Sequence, residues 1–237
     1  MNNTVKLSRR LQKVASFIME GSRFADIGSD HAYLPCYVCQ NDRHAYAIAG
    51  EVNEGPFQSA QKAVQTFDLQ NRIEVRLGNG LQILDDGEVN LAVIAGMGGS
   101  LIKTILDEGK SRLGSVQRII AQPNVDERSV RSWFSAYGYS ISNETMVEES
   151  GHIYEIIVAD KNDGPQSLTD RQLLFGPSLL NQKSNLFYVK WNHEYKKRQR
   201  VIEQMKRAAT PDYDKLDVFK KELIWIEEVL HDGSSYA

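Results

Sequence analysis

Residues able to do chemistry gather first in Phe24-Ala25-Asp26-Ile27-Gly28-Ser29-Asp30-His31-Ala32-Tyr33-Leu34-Pro35. An apolar run delivers Asp26, Gly28 follows, and Ser29, Asp30 and His31 make a polar turn before the chain becomes apolar again. That order predicts strand, tight loop and helix. The glycine lets the backbone come close to a ligand, and the helix N-terminus offers free N–H groups. Glu51 ends a second apolar run 23 residues after Gly28, where a carboxylate can accept hydrogen bonds from both hydroxyls of a ribose. This pair alone would also suit NAD. The G-x-G-x-x-G fingerprint of dinucleotide sites is not met, because Asp30 and Tyr33 stand at its later glycine positions. The two carboxylates of the loop, Asp26 and Asp30, would repel a pyrophosphate and attract a cation.

Three later loops also close apolar runs. Gly78-Asn79-Gly80-Leu81 presents the Asn79 amide, a donor and an acceptor together, although an Asn-Gly turn is the plain alternative. In Gly96-Met97-Gly98-Gly99 backbone groups are expected to line the floor of a pocket, with anion binding at a helix N-terminus as the alternative. Gln122-Pro123-Asn124 supplies two more amides. Cys36 and Cys39 are read as incidental residues of one helix, since no second ligand pair with zinc spacing appears; no metal is expected.

The elements that must position these loops follow from periodicity. Leu7, Leu11, Val14 and Ile18 predict an amphipathic helix over 6–20. Strands are predicted at 22–27, 45–52, 73–77, 90–95, 116–121, 139–147 and 152–159, with helices starting near 33, 56, 100 and 126. Strands alternating with helices, with special residues at the strands' carboxyl ends, predict an α/β, doubly wound sheet. After Asn162-Asp163-Gly164-Pro165 the pattern changes. Phe187, Trp191, Val201, Met205 and Ala208, then Leu216, Phe219, Leu223, Ile226 and Leu230, predict an antiparallel helical, coiled-coil-like hairpin. Two domains are therefore expected, 1–162 and 163–237.

Composition narrows the classes. The 237 residues are 41% hydrophobic and 25% charged, which excludes a disordered or fibrous chain, and no apolar run is long enough to span a bilayer. With no signal-peptide pattern and two cysteines, a cytoplasmic protein is expected, without a membrane partner. The net charge of -3 is uneven. Residues 183–207 carry eight basic and two acidic side chains, so that segment is +6 and the remainder -9. A basic arm on an acidic body suits a polyanion, although a solvated helix face gives the same pattern.

Asp26-Ile27-Gly28 resembles the opening of the cofactor motif of class I S-adenosylmethionine-dependent methyltransferases, whose donor carries a cationic sulfonium and ammonium. The resemblance becomes specific with Asp26 to Pro35, Gly50-Glu51-Val52-Asn53-Glu54-Gly55-Pro56-Phe57-Gln58-Ser59-Ala60, Ile94 to Gly99, Gln122-Pro123-Asn124 and the basic helical tail. Together these resemble the bacterial tRNA (adenine-22, N1)-methyltransferases over nearly the whole chain. The resemblance implies a Rossmann-like domain with a seven-stranded sheet and a C-terminal coiled coil. It also implies S-adenosyl-L-methionine as donor, tRNA as partner and N1 of an adenine as acceptor, with a monomer as the working expectation.

Carried onto this sequence, the donor contacts would be Asp26, Gly28, Ser29, His31, Glu51, Val52, Asn79, Gly80, Ala95, Gly96 and Met97. Asp30 is the first candidate to face positive charge developing on the base, with Asn124 or Gln122 holding the base edge. Tyr33, Gly98, Gly99 and Pro123 are assigned to the target base, and Arg9, Arg10, Lys13, Lys190, Lys197 and Arg200 to the tRNA. His31 as loop packing and Tyr33 as a core aromatic are the alternatives, and Tyr154 is read as core. Competing functions are a methyltransferase for another acceptor, a non-catalytic nucleotide- or RNA-binding module, and an NAD-dependent oxidoreductase, which the acidic loop disfavours.

Overall fold

The computed structural model describes residues 4–162, 164, 166–208, 210 and 212–232. Asp163 and Pro165, within the expected break, lie outside the described residues. The described residues form a unit ending at Ser178 and a second beginning at Leu179.

In the first unit, α1 (Arg9–Ala15) is shorter than its periodicity suggests. Ser8 caps it by accepting the Leu11 N–H, while Val5 and Leu7 are buried ahead of it in extended chain. The sheet strands are β1 (Arg23–Ile27), β2 (Tyr46–Glu51), β3 (Ile73–Leu77), β4 (Leu91–Met97), β5 (Arg118–Pro123), β6 (Tyr139–Glu149) and β7 (His152–Lys161). Between them run α2 (Tyr33–Asn41), α3 (Glu54–Thr66), α4 (Gly99–Glu108) and α5 (Glu127–Ala136), plus two 3-10 turns at Gly80–Ile83 and Lys110–Leu113. The strand order is β3-β2-β1-β4-β5-β7-β6. All neighbours from β3 to β5 are parallel, and β7 runs antiparallel to both β5 and β6.

Successive residues of β1 enter opposite layers, as the two-residue strand period requires: Phe24 packs with Leu34 and Val64, Ala25 and Ile27 with Ile102 and Trp133. Helices cover both faces, so β4 is apolar throughout rather than alternating, while β1 interrupts its buried apolar run at Asp26. The order reverses between β1 and β4, which makes the carboxyl ends of these strands the switch point at which an open sheet takes its ligand. The residues after Gly28 and after Gly96 flank this point.

Sequence periodicity does not register α6 (Asp170–Phe175) or α7 (Pro177–Gln182). Arg131 of α5 is buried, donates to Glu144 Oε1 (2.7 Å), pairs with Glu155, and reaches the Leu173 and Leu174 carbonyls at 3.3 and 3.4 Å. Glu144 Oε2 accepts the Ser178 N–H at 2.8 Å. These bonds hold residues 173–178 to the sheet, so the first unit extends sixteen residues past the expected boundary at 162.

The second unit is built on α8 (Asn185–Lys206) and α9 (Tyr213–His231). Their antiparallel pairing shows in Lys183 bonding Asp232 (3.0 Å) and Arg198 bonding Glu222 (3.2 Å). The seam is less regular than a heptad. Ile202 is buried on α8 where Val201 is expected, and Glu222 is buried among Leu216, Ile226 and Val229 on α9.

Candidate functional site

The loop from β1 to α2 is tied to the end of β2 before any ligand is considered. The Gly28 and Ser29 N–H groups both donate to the Gly50 carbonyl, at 2.9 and 3.0 Å, and the Gly78 N–H donates to the Glu51 carbonyl at 2.8 Å. Gly28 has φ +71, and a side chain there would meet the Met97 methyl. Asp30, His31 and Ala32 then follow in left-handed conformation, with φ 47, 68 and 56. Each such non-glycine residue costs roughly 1–2 kcal/mol, so the surroundings must enforce the turn. Within this turn the His31 and Asp30 N–H groups face the Glu51 carboxylate.

Two buried carboxylates meet here. Burial pushes Asp26 up to about 7 from 3.8, against the Ser29 hydroxyl that donates to its Oδ2 (2.6 Å), and the Glu51 and Asp30 charges push the same way. Burial also raises Glu51, opposed by the two loop N–H groups. Glu51 Oε1 is buried and accepts no hydrogen bond. A pocket with two carboxylates held above their ordinary range and an unused buried acceptor fits a cationic, hydroxyl-bearing ligand. S-adenosyl-L-methionine has both properties.

Around this centre Asn79 is exposed and its side chain makes no capping bond, which leaves its amide open to a base edge. Gly80 (φ +55) begins the 3-10 turn, Val52 is exposed at the end of β2, and Ala95 is half-buried in β4. Asp30 is exposed, with His31 Nε2 3.4 Å from its Oδ1. Tyr33 is exposed rather than core, its ring 5.6 Å from that of His31.

The floor beyond β4 is held by side-chain amides. Gln122 is fully buried: its Oε1 accepts from Arg10 Nη1 and from the Gly96 N–H (3.1 Å), and its Nε2 donates to the Pro123 carbonyl (2.9 Å) and Asn124 Oδ1 (3.2 Å). Asn124 Nδ2 donates to the Gly96 carbonyl at 2.7 Å. Gln122 therefore cannot hold a base edge as expected from sequence, because its amide is buried and fully engaged. Exposed Asn124 can. Gly98 precedes α4, and at Gly99 a side chain would overlap the Asp126 carbonyl.

The basic residues separate. Arg9 and Lys13 are exposed on α1. Arg10 instead lies against the floor, pairs with Glu149 (3.7 Å) and stacks over Tyr154 at 5.3 Å, so Tyr154 borders the site instead of filling the core. On α8, Lys197 and Arg200 are exposed, Lys190 is half-buried against Trp191, and Arg198 is held between Glu194 and Glu222. Arg10 and Tyr154 lie 112 and 32 residues from Gln122, and no local spacing signals them.

A cavity of about 470 Å³ lined by Arg23, Tyr46, Gln65 and Arg72 opens at the opposite ends of β1 to β3 and includes none of these residues. Cys36 and Cys39 are buried, and burial above all pushes their thiols up to about 12 and about 11, which removes thiolate reactivity. Among the described residues no His, Cys, Asp and Glu cluster could hold a metal, and no helix is long and apolar enough to cross a membrane.

A Rossmann-like sheet of this order with β7 antiparallel defines a class I methyltransferase fold, and Asp26 and Glu51 stand at the carboxyl ends of its neighbouring strands β1 and β2. Residues 24–228 match the family model described as tRNA (adenine(22)-N(1))-methyltransferase. The Bacillus subtilis (strain 168) tRNA (adenine(22)-N(1))-methyltransferase is 40% identical over 237 residues, covering 98% of this chain and 100% of that one. A crystal structure of the B. subtilis enzyme superposes with a TM-score of 0.87 at 40% identity, over 95% of this chain and 99% of that one. Sp1610 from Streptococcus pneumoniae, solved in complex with S-adenosyl-L-methionine, gives 0.86 at 40% identity over 95% and 100%. The chain belongs to the tRNA (adenine(22)-N(1))-methyltransferase family.

Proposed function

We propose that this chain transfers the methyl group of S-adenosyl-L-methionine to N1 of adenine 22 in tRNA. The observation that carries the donor is the Asp26–Glu51 pocket, with its raised carboxylates and the unused Glu51 Oε1. Family membership carries the acceptor.

When bound, the donor supplies an electrophilic methyl on a positively charged sulfur. Asp26 and Glu51 hold that cationic nucleoside, and Asn79 meets its adenine. Adenine N1 has an in-plane lone pair and no proton, so no base must act before attack. The protein's task is alignment and stabilisation of the positive charge that passes to the ring. The exposed Asp30 carboxylate faces that charge, Asn124 holds the base edge, and Tyr33 offers an exposed ring for stacking. Arg9, Lys13, Lys190, Lys197 and Arg200 contact phosphates, which position the tRNA without reading its sequence. Since N1 lies on the pairing edge, the adenine must be unpaired to react, by flipping or within a distorted tRNA core.

Methyl transfer from labelled donor to unmodified bacterial tRNA, with the nucleoside and its position identified by mass spectrometry, tests the reading. 1-Methyladenosine at position 22 is expected. Donor binding without label in tRNA would keep the pocket and overturn the acceptor. Asp30→Asn is expected to lower turnover at least tenfold with donor affinity unchanged, and near-full turnover would take Asp30 out of the reaction.

A further inference from the structure

Arg10 carries the same charge as its neighbours Arg9 and Lys13, yet the fold uses it differently. Its side chain is only 20% exposed, and its backbone N–H, Nη1 and Nε are directed at the protein. Nη1 donates to Gln122 Oε1, Nε lies 3.7 Å from Glu149 Oε2, its backbone N–H donates to Glu149 Oε1 at 3.2 Å, and the guanidinium covers the Tyr154 ring at 5.3 Å. A guanidinium so placed is poorly available to a phosphate.

We infer that Arg10 is a positioning residue for methyl transfer, acting through Gln122 on the peptide groups of Gly96 and on the amide of Asn124. This rests on the function proposed above. A carboxamide can turn over by 180°, exchanging its donor and its acceptor ends. Arginine only donates, so Arg10 fixes Gln122 with Oε1 toward itself and the Gly96 N–H. Nε2 is thereby directed to Asn124 Oδ1, and Asn124 Nδ2 to the Gly96 carbonyl. Both peptide groups of Gly96, whose φ of +80 suits only glycine well, are thus held by one chain of bonds that begins at Arg10. The bond at its head is charge-assisted and the strongest type in the chain. Through it α1 sets the orientation in which Asn124 meets the target base, and with it the alignment on which the rate depends.

The test is steady-state kinetics and tRNA binding on the full chain for Arg10→Met, Arg10→Lys, Gln122→Met and the double variant, with melting temperature and donor affinity recorded. Hydrogen exchange of the peptides covering 95–99 and 122–124 is measured alongside. Arg10→Met is expected to lower kcat about tenfold or more, with KM for tRNA and the salt dependence of binding unchanged, and to speed exchange in both peptides. Arg10→Lys, which keeps a charged donor, is expected to recover most of kcat. In the Gln122→Met background, Arg10→Met is expected to cost less than a further twofold, because the route through Gln122 is already cut. A loss confined to tRNA affinity with a shallower salt slope would make Arg10 a phosphate contact and overturn the inference. Fully additive losses, or unchanged exchange at 95–99, would overturn it too. If Arg10→Met does not fold, Arg10→Lys and the Gln122→Met cycle built on it decide the same question. A wild-type chain that methylates no tRNA would sink the proposed function, while the exchange data would still report whether Arg10 holds Gly96.

Discussion

Asp26 is the residue whose charge state, in the proposed donor site, couples fold and ligand. Burial first, then the Glu51 and Asp30 charges, hold it at about 7 despite the Ser29 hydroxyl, against 3.8 in an unfolded chain. In the ligand-free protein a raised carboxyl favours folding where it is protonated: its contribution is complete below about pH 4, is lost as pH rises through about 7, and is flat above. On the proposed reading the donor, a cation, binds the ionised form better. Donor affinity is therefore expected to rise with pH by up to about tenfold per unit below 7 and to level off above it. Calorimetric titration of S-adenosyl-L-methionine between pH 6 and 8 measures this; Asp26→Asn should flatten the profile and weaken binding, and a flat wild-type profile would remove Asp26 from the donor site. Asp26, Gly28 and Glu51 were legible in sequence because each closes or follows its own strand, and strand ends are readable from apolar runs. The left-handed run at Asp30, His31 and Ala32 was not, since none of the three is a glycine and the carboxylate that two of its N–H groups face, Glu51, comes from another strand.

At the level of elements, the seven strands and the helices between them follow from apolar periodicity, which is local. The segment 166–178 escaped for the opposite reason. Its attachment depends on Arg131, Glu144 and Glu155, three residues of α5, β6 and β7 that look like surface positions in sequence and are buried together in the fold. Gly176 (φ +87) lies against them, where a side chain would stand 2.6 Å from Arg131 Nη2 and Glu144 Oε1. Removing the cation from this cluster is a severe change. Arg131→Met is expected to destabilise the protein by about 3–5 kcal/mol, since two buried carboxylates lose the guanidinium between them; urea denaturation measures it. Gly99→Ala should cost about 1–3 kcal/mol by driving a methyl into the Asp126 carbonyl. A Gly99→Ala protein that melts like wild type would show that the loop before α5 gives way at no cost.

On the scale of the whole molecule, net charge conceals the feature that matters for a polyanion. The +6 of residues 183–207 is visible in sequence, but how much of it faces outward is not. Arg198 belongs to the helical hairpin: it bonds Glu194 at 2.6 Å and Glu222 at 3.2 Å, and its guanidinium lies 5.8 Å from the Trp191 ring. Lys206 and Lys197 pair with acidic residues three positions earlier, exposed contacts that water and salt weaken and that a phosphate can replace. Arg200 spends only its Nε on the Lys196 carbonyl, leaving the rest of the guanidinium to solvent. The hairpin therefore divides its cations into two that tie its helices together, Lys183 and Arg198, and several that can release counterions on binding RNA. Replacing Lys197 and Arg200 with Ala is expected to lower the slope of log affinity for tRNA against log salt by about 1 to 2, with melting temperature and donor affinity unchanged. Arg198→Ala should do the reverse, lowering the melting temperature of the hairpin while leaving the slope nearly intact. If both variants changed the slope equally, the distinction drawn from these ion pairs would fail, and the basic segment would act on tRNA as a diffuse field rather than through particular side chains.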